Sequence, residues 1–235
     1  FIGGLLLAAA IFLYDYFTKD FWIWLWLGLS LFVVFMSMFY TTLIVPIFNK
    51  LSPLENGTLK DKIENYSKEI GYSLKNIFII DGSRRSTKAN AYFSGLGPKK
   101  TIALFDTLVE NHTDEELVAV LAHEVGHYKK NHIKQGMVFS IMQIGFMCYL
   151  FELCVKLPDI NTALGAEIGA FHLGLIGFSL LFSPIGLILG ILGNIISRKN
   201  EFEADNYAKK TYDGESLKLA LKKLSVNSLT NLYPH

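Results

Sequence analysis

The chain has 235 residues, 51% of them hydrophobic, and its formal net charge is +1. That charge gives no electrostatic basis for binding nucleic acid, which depends on many Lys and Arg side chains meeting phosphates. The mean hydropathy is positive and the apolar residues are clustered, which argues against an ordinary soluble protein.

Four apolar segments follow one another along the chain. Residues 1–13 are apolar but short, and they lack the basic start and the cleavage site of a signal peptide. Residues 21–48 and 168–196 contain no charged side chain, and residues 136–155 contain only Glu152. Because about 20 apolar residues cross a bilayer, the sequence predicts three transmembrane helices and one partial helix.

The polar region between the first spans and residue 136 has a mixed pattern. An amphipathic surface helix is predicted over residues 59–70. Three short runs that are rich in β-forming residues predict strands at residues 76–81, 89–94 and 101–105. We therefore expect a small β-sheet in this region.

A helix over residues 113–135 follows, with Thr113 as its N-cap and three acidic residues in its first turn. It contains the HExxH pattern His123-Glu124-Val125-Gly126-His127. Residues four apart on a helix are turned by only about 40°, so the two histidines share a face and can bind one metal ion. Glu124 can take a proton from the attacking water, as in zinc hydrolases. Taken alone, the pattern also fits a solvated helix face.

A catalytic zinc site usually has three protein ligands. The third candidate is Glu201, because Glu201 and Asp205 are also four apart on a predicted helix. In this arrangement Asp205 accepts a hydrogen bond from the far ring nitrogen of a ligand histidine. Glu203 is turned by about 200° from Glu201 and points away. On its own, this segment would be interpreted as an acidic helix start.

Lys and Arg residues are distributed unevenly. Residues 49–135 hold 13 of the 22 and residues 197–235 hold seven, whereas residues 14–20 and 156–167 hold one each. If each predicted span crosses once, the two basic regions lie on the same side of the membrane. The positive charge predicts that this side is cytoplasmic. The HExxH helix and Glu201 are then on one side, as a shared metal requires.

The spacing also predicts how deep the metal lies. His127 is about nine residues, or roughly 13 Å, from its membrane span, and Glu201 is about five residues, or roughly 7 Å, from its own. We expect both helices to continue into the membrane, with the metal near the cytoplasmic surface and its substrates membrane-bound or lipid-bearing. We also expect His132, about 140° around the helix from His127, to be solvated. Glu152 either faces a cavity or reaches the outer surface near Lys156, and we favour the second.

Four motifs together carry a family resemblance. They are His-Glu-Val-Gly-His-Tyr-Lys-Lys-Asn-His at 123–132, Asn-Ala-Tyr-Phe-Ser-Gly at 90–95, Ile-Ala-Leu-Phe-Asp-Thr-Leu at 102–108, and Ser-Arg-x-x-Glu-Phe-x-Ala-Asp at 197–205. In this order they resemble the M48 family of membrane metalloproteases, and its Ste24-type CAAX prenyl protease branch more than its HtpX branch.

The resemblance implies a role for each residue of the HExxH and Glu201 motifs. His123, His127 and Glu201 would bind one Zn²⁺ per chain, and Glu124 would be the general base. Asp205 would lie next to the ligands and accept a hydrogen bond from a ligand histidine.

The resemblance also implies where the substrate binds. Asn90, Ala91 and Tyr92 fall where the family places an edge strand, and extended peptides commonly bind by adding to a sheet edge. The alternative is an ordinary hairpin strand.

The expected fold is a mainly α membrane protein with three to four transmembrane helices and a cytoplasmic zincin-like α+β metalloprotease domain that carries a small sheet. The chain is predicted to have four parts. Residues 1–48 form transmembrane helices, and residues 49–135 form a cytoplasmic catalytic region with the small sheet and the HExxH helix. Residues 136–196 form a transmembrane helical hairpin, and residues 197–235 form a cytoplasmic helix with the third ligand.

Two departures from the family pattern stand out. Ste24-type proteins have more spans than are found here, and the His-Pro-Pro motif that usually follows is not found before the chain stops at His235. Either the chain is a piece of a longer protein or this member lacks the missing parts, and a first residue that is Phe rather than Met favours the piece.

The functional hypothesis is a membrane zinc endopeptidase that acts on membrane-associated peptides or proteins, in particular prenylated CAAX-type C termini. Its membrane would be the bacterial inner membrane, or the endoplasmic reticulum in a eukaryote. General quality control of membrane proteins is an alternative within the same chemistry. A non-catalytic membrane scaffold that retains a zinc site is the alternative outside it.

Overall fold

The structure, a computed structural model, confirms the predicted mainly helical fold with membrane-capable helices and a small sheet. It describes residues 2–17, 20–40, 43, 45–83, 91–93, 100–165 and 171–227. The elements in chain order are α1 (Ile2–Tyr16), α2 (Phe21–Phe39), α3 (Val45–Phe48), β1 (Leu51–Pro53), α4 (Thr58–Glu69), β2 (Leu74–Ile80), β3 (Ala91–Phe93), β4 (Lys100–Phe105), α5 (Asp106–Asn111), α6 (Asp114–Lys129), α7 (His132–Lys156), α8 (Pro158–Ala163), α9 (Phe171–Thr211) and α10 (Gly214–Asn227).

Three of these helices, α2, α7 and α9, are long and apolar enough to cross a bilayer. Many of their apolar side chains are exposed on the protein, as lipid-facing side chains are, and few of those in α2 and in the apolar part of α9 are buried. Within the predicted span at residues 21–48, the structure describes α2 and α3, and residues 41, 42 and 44 between them lie outside the described residues.

Phe1–Val34 and Gly136–Ile195 form one compact unit. Within it, the N–H of Trp22 in the first turn of α2 donates to the Glu152 carboxylate at 2.7 Å, and Lys156 also pairs with that carboxylate. Glu152 is 5% exposed, so the expectation that it reaches the surface is wrong. The carboxylate is buried because it satisfies an N–H at a helix start, which has no partner inside the helix.

Phe35–Gln135 and Ile196–His235 form the second compact unit. Its four-stranded sheet has the order β1-β2-β4-β3. Strands β2 and β4 are parallel, and the two outer strands pair antiparallel with them. The strands predicted at residues 76–81 and 101–105 are confirmed as β2 and β4. Of the strand predicted at residues 89–94, the structure describes Ala91–Phe93, which is β3. Strand β1 was not predicted.

Helix α6 lies in the core of the second unit. Its buried face, which includes Leu117, Leu121 and Val125, packs with Ile63 of α4 and Ile102 of β4. Since one face of α6 is fixed in this core, the opposite side of the same turns is held in place for the polar residues of the HExxH pattern.

The N-terminus of α6 is capped as the sequence predicted. The Thr113 hydroxyl accepts from the Glu116 N–H, and the Glu116 carboxylate accepts from the Thr113 N–H. This capping box satisfies two N–H groups that have no partner inside the helix. Lys223 of α10 also donates to Glu116 at 2.7 Å, which ties the start of α6 to α10.

The predicted continuous helix over residues 113–135 is interrupted. Helix α6 ends at Lys129, Asn131 adopts a left-handed backbone with φ of 60°, and α7 begins at His132. The expectation that the His127 helix continues into a membrane span is therefore wrong. Asn is one of the few non-glycine residues that adopt this conformation readily, and the hydrophobic periodicity of the flanking segments gives no sign of it.

Candidate metal centre

Helix α6 brings the two histidines of the HExxH pattern together. The Nε2 atoms of His123 and His127 are 3.1 Å apart, and both rings are partly buried. Burial lowers the pKa of His127, and the neighbouring His123 lowers it further. These effects favour the neutral imidazole, which is the form that binds a metal.

Glu201 reaches the same point from α9. Its carboxylate oxygens lie 3.3 Å from His123 Nε2 and 3.6 Å from His127 Nε2. The ligand atoms of His123, His127 and Glu201 all lie within 4.8 Å of one another. The structure thus brings together the three residues that the sequence predicted as metal ligands.

The spacing of these three side chains fits a tetrahedral zinc ion. Zinc binds imidazole nitrogen and carboxylate oxygen at about 2.0–2.2 Å, so two ligand atoms of one tetrahedron are about 3.3 Å apart. The two Nε2 atoms are 3.1 Å apart, one Glu201 oxygen lies 3.3 Å from His123 Nε2, and the other Glu201 oxygen lies 3.6 Å from His127 Nε2. Two imidazoles and one carboxylate are also a common donor set for a catalytic zinc with one open position.

Asp205 lies behind the first histidine. Its Oδ1 is 2.8 Å from His123 Nδ1, the ring nitrogen that faces away from Glu201. A carboxylate can only accept, so Nδ1 carries the proton and the lone pair of a neutral ring is on Nε2. Asp205 therefore stands where the sequence predicted a supporting carboxylate.

The close approach of α6 and α9 depends on Gly126. A Cβ atom at this position would lie 3.0 Å from Ala204 Cα, 3.1 Å from Ala204 O and 3.1 Å from Tyr207 Cβ. Ala204 is itself fully buried. The small residues at 126 and 204 thus let the α9 backbone come near enough for the neighbouring Glu201 to reach both histidines.

Glu124 is partly buried beside the ligands. Burial raises the pKa of its carboxyl, His123 acts in the opposite direction, and the nearby charge of Glu201 raises it further. A carboxylate with a raised pKa is a stronger base than one in water, which is a property that a proton-accepting group needs.

The predicted substrate segment is only partly described. Ala91 and Tyr92 lie on β3, at the edge of the sheet formed by the described strands, and pair with Leu104 and Ala103 of β4. Asn90 lies outside the described residues. The backbone of β3 is thus an edge strand where the sequence expected one.

Two residues near the site were not predicted to belong to it. His132 is 5% exposed, and its Nδ1 lies 3.1 Å from Nδ1 of His127. Its Nε2 lies 3.2 Å from Glu203 Oε2. The expectation of a solvated His132 is wrong because it assumed a continuous helix, whereas the left-handed Asn131 turns His132 back towards His127. The hydrogen bond from His132 lowers the pKa of Glu203.

Comparison with known proteins places this geometry in a family. The sequence pattern of Peptidase family M48 matches residues 53–234. A second pattern, described as CAAX prenyl protease N-terminal, five membrane helices, matches residues 1–50. The chain belongs to peptidase family M48. As a member of this metalloprotease family, the chain is expected to bind a metal, and its apolar helices make it an integral multi-pass membrane protein.

Individual relatives of this M48 chain agree. CAAX prenyl protease 1 of Saccharomyces cerevisiae is 35% identical over 248 residues, covering 98% of this chain and 54% of the relative. The human CAAX prenyl protease 1 homolog is 32% identical over 230 residues, covering 81% of this chain and 48% of the relative. The chain spans about half the length of the curated relatives it matches.

A solved structure is also similar. The crystal structure of S. mikatae Ste24p matches with a TM-score of 0.86 and 34% sequence identity. The match covers 100% of this M48 chain and 58% of the other one.

Proposed function

We propose that this protein is a membrane zinc endopeptidase in which His123, His127 and Glu201 bind one Zn²⁺. The observation that carries the proposal is the convergence of these three side chains, whose ligand atoms lie within 4.8 Å of one another, with the two imidazole nitrogens 3.1 Å apart. Asp205 holds His123 in the tautomer whose Nε2 lone pair faces the ion.

Glu124 is the general base in this proposal. When bound, zinc supplies a Lewis acid that polarises the scissile carbonyl and makes water a stronger nucleophile. The Glu124 carboxylate takes a proton from the water as the water oxygen bonds to the carbonyl carbon. The same carboxyl group then gives that proton to the nitrogen of the breaking C–N bond, which leaves as an amine. The raised pKa of Glu124 supports both steps, because the carboxyl must hold the proton between them.

The substrate chain binds in an extended form along Asn90, Ala91 and Tyr92. The position of β3 at the edge of the sheet of described strands supports this part of the proposal, because extended peptides commonly bind by adding to a sheet edge.

The substrates are membrane-associated and have prenylated CAAX-type C termini. The names of the yeast and human relatives support this substrate class. The active site faces the cytoplasm, which in a eukaryote is the outer side of the endoplasmic reticulum. The uneven distribution of Lys and Arg supports this orientation, since 20 of the 22 fall in residues 49–135 and 197–235.

The test is cleavage of a prenylated CAAX peptide and of its unprenylated twin by the detergent-solubilised whole protein. We expect the wild type to cleave the prenylated peptide preferentially. Glu124→Gln should retain zinc, measured by metal analysis, and lose cleavage by about a hundredfold or more.

Three results would change the proposal. Normal cleavage by Glu124→Gln would contradict the mechanism. Equal cleavage of both peptides would favour general quality control over prenyl processing. A wild-type protein that binds zinc but cleaves neither peptide nor unfolded membrane proteins would favour a non-catalytic scaffold.

A further inference from the structure

His132 and Glu203 lie in a line behind His127. The line runs from Glu203 Oε2 to His132 Nε2 at 3.2 Å, and from His132 Nδ1 to His127 Nδ1 at 3.1 Å. His132 is 5% exposed, so water does not compete freely for either of its ring nitrogens. Neither His132 nor Glu203 contributes a ligand atom to the three-residue site.

The chemistry of these groups fixes the direction of the hydrogen bonds. The Glu203 carboxylate can only accept, so Nε2 of His132 carries a proton. When His132 is neutral, its ring has one donor and one acceptor, so Nδ1 is the acceptor. His127 must therefore donate from its own Nδ1, which leaves the lone pair of His127 on Nε2.

The opposite tautomer of His127 does not suit a metal site. It would put a proton on Nε2, which is the atom that lies 3.1 Å from His123 Nε2. Asp205 already fixes the lone pair of His123 on its Nε2. With both tautomers fixed from behind, two lone pairs point at one place beside the Glu201 carboxylate. That arrangement is repulsive without a cation and favourable with one.

We propose that His132 and Glu203 are positioning residues that hold His127 in the tautomer and orientation that bind zinc. They act on His127 as Asp205 acts on His123, except that a second imidazole stands between the carboxylate and the ligand ring. The inference rests on the proposed zinc site and adds to it a role for residues outside the ligand set. Partners of this kind typically change metal affinity by 10- to 100-fold.

The test measures zinc affinity by competition with a chromogenic chelator, in the detergent-solubilised whole protein. His132→Leu removes the acceptor for His127 Nδ1–H, and we expect zinc binding about 10- to 100-fold weaker than in the wild type. His132→Asn places an amide oxygen near the former Nδ1 position, and it should recover most of the loss. Glu203→Ala should weaken binding less than His132→Leu, because His132 itself remains in place.

The matched control is His112→Leu. His112 is also a buried histidine of the second compact unit, 8% exposed, but its Nδ1 contacts Leu108 O at 2.9 Å and it contacts no ligand. This variant should lower the melting temperature of the metal-free protein about as much as His132→Leu does, and leave zinc affinity within twofold of the wild type.

Three results would overturn the role of His132 and Glu203 while leaving the zinc site intact. The first is a His132→Leu protein that binds zinc as tightly as the wild type. The second is an equal loss of affinity in His112→Leu, which would mean that general destabilisation causes the loss. The third is no recovery in His132→Asn, which would mean that the acceptor at the Nδ1 position is not what matters. Failure of the proposed function looks different: either the wild type itself binds no zinc, or it binds zinc and cleaves no substrate while the zinc affinities of the variants still differ as expected.

Discussion

Replacing Gly126 by alanine tests whether the contact between α6 and α9 determines the metal geometry. The new Cβ would lie 3.0 Å from Ala204 Cα, and ordinary contact begins at 3.4 Å, so α9 must move away by about 0.4 Å. Glu201 lies one turn earlier on α9 and would move with it. Metal sites tolerate errors of about 0.2 Å in ligand distances, so the displacement is about twice what the site can absorb.

The effect of Gly126→Ala on overall stability should be small by comparison. Overpacking lowers the free energy of unfolding by about 1–3 kcal/mol. Replacing Gly by Ala inside a helix raises it by about 1 kcal/mol. The net loss is therefore about 0–2 kcal/mol, which makes the melting temperature a weak reporter. Zinc affinity is the stronger one, and we expect it to fall at least tenfold.

The assay compares Gly126→Ala with Gly136→Ala by chelator competition and thermal melting. Gly136 also lies in a helix, but a Cβ there would have no atom within 4 Å. The control should therefore be as stable as the wild type or more so, with unchanged zinc affinity. Wild-type affinity in Gly126→Ala would refute the reasoning, because the α6–α9 contact would then not determine where Glu201 lies.

Two further substitutions test polar contacts within the second compact unit. Lys223→Met leaves Glu116 without its ion pair, and because Lys223 is partly exposed we expect a loss of only about 1–3 kcal/mol in thermal melts near pH 7. Burial acts to raise the pKa of Glu116, but hydrogen bonds led by that from Lys223 outweigh it, so the folded pKa is below 4.5. The stabilisation by the ionised Glu116 is present above pH 4.5 and is lost as the pH falls through the pKa that Glu116 has in the folded protein. A loss of stability in Lys223→Met that persists at lower pH would contradict this. Asp106→Ala removes the acceptor for the Gly82 and Ser83 N–H groups and the Ser83 hydroxyl. It should cost about 1–2 kcal/mol in the same melts, and an unchanged melting temperature would contradict it.

The parts of the site that the sequence predicted are those that depend on helical spacing alone. His123 and His127 are one turn apart on α6, and Glu201 and Asp205 are one turn apart on α9. Such pairs share a face in any regular helix, so their relation survives whatever the rest of the chain does. That the two pairs meet was predicted from the need for a third ligand and from the family resemblance, and the structure does place them together.

The part that was missed depends on one backbone angle. The helical periodicity predicted that His132 lies about 140° from His127 on the same helix, and therefore apart from it. The left-handed Asn131 ends that helix and starts another, so the helical angle no longer applies. An Asn in a Lys-Lys-Asn-His segment is a weak signal for such a break, because Asn is also tolerated within a helix.

The same distinction applies to the fold. The membrane spans and the strands β2 and β4 were predicted because long apolar runs and runs of β-forming residues lie within single segments. Strand β1 was missed because it has only three residues and includes Pro53, so it exists through its pairing with β2. The start of α2 shows the same limit, since its N–H partner Glu152 lies 130 residues away in the sequence.

The register between α6 and α9 connects these observations. Within five residues of α9, Glu201 and Asp205 face the ligand histidines, Glu203 meets His132, and Ala204 packs on Gly126. A slide of α9 by a single residue would displace all of these groups by about 1.5 Å, which is far more than a metal site tolerates. The packing of Ala204 against Gly126 allows no such slide without bulkier side chains entering the contact. The two small residues therefore determine the chemistry as directly as the ligands do, although neither has a functional group.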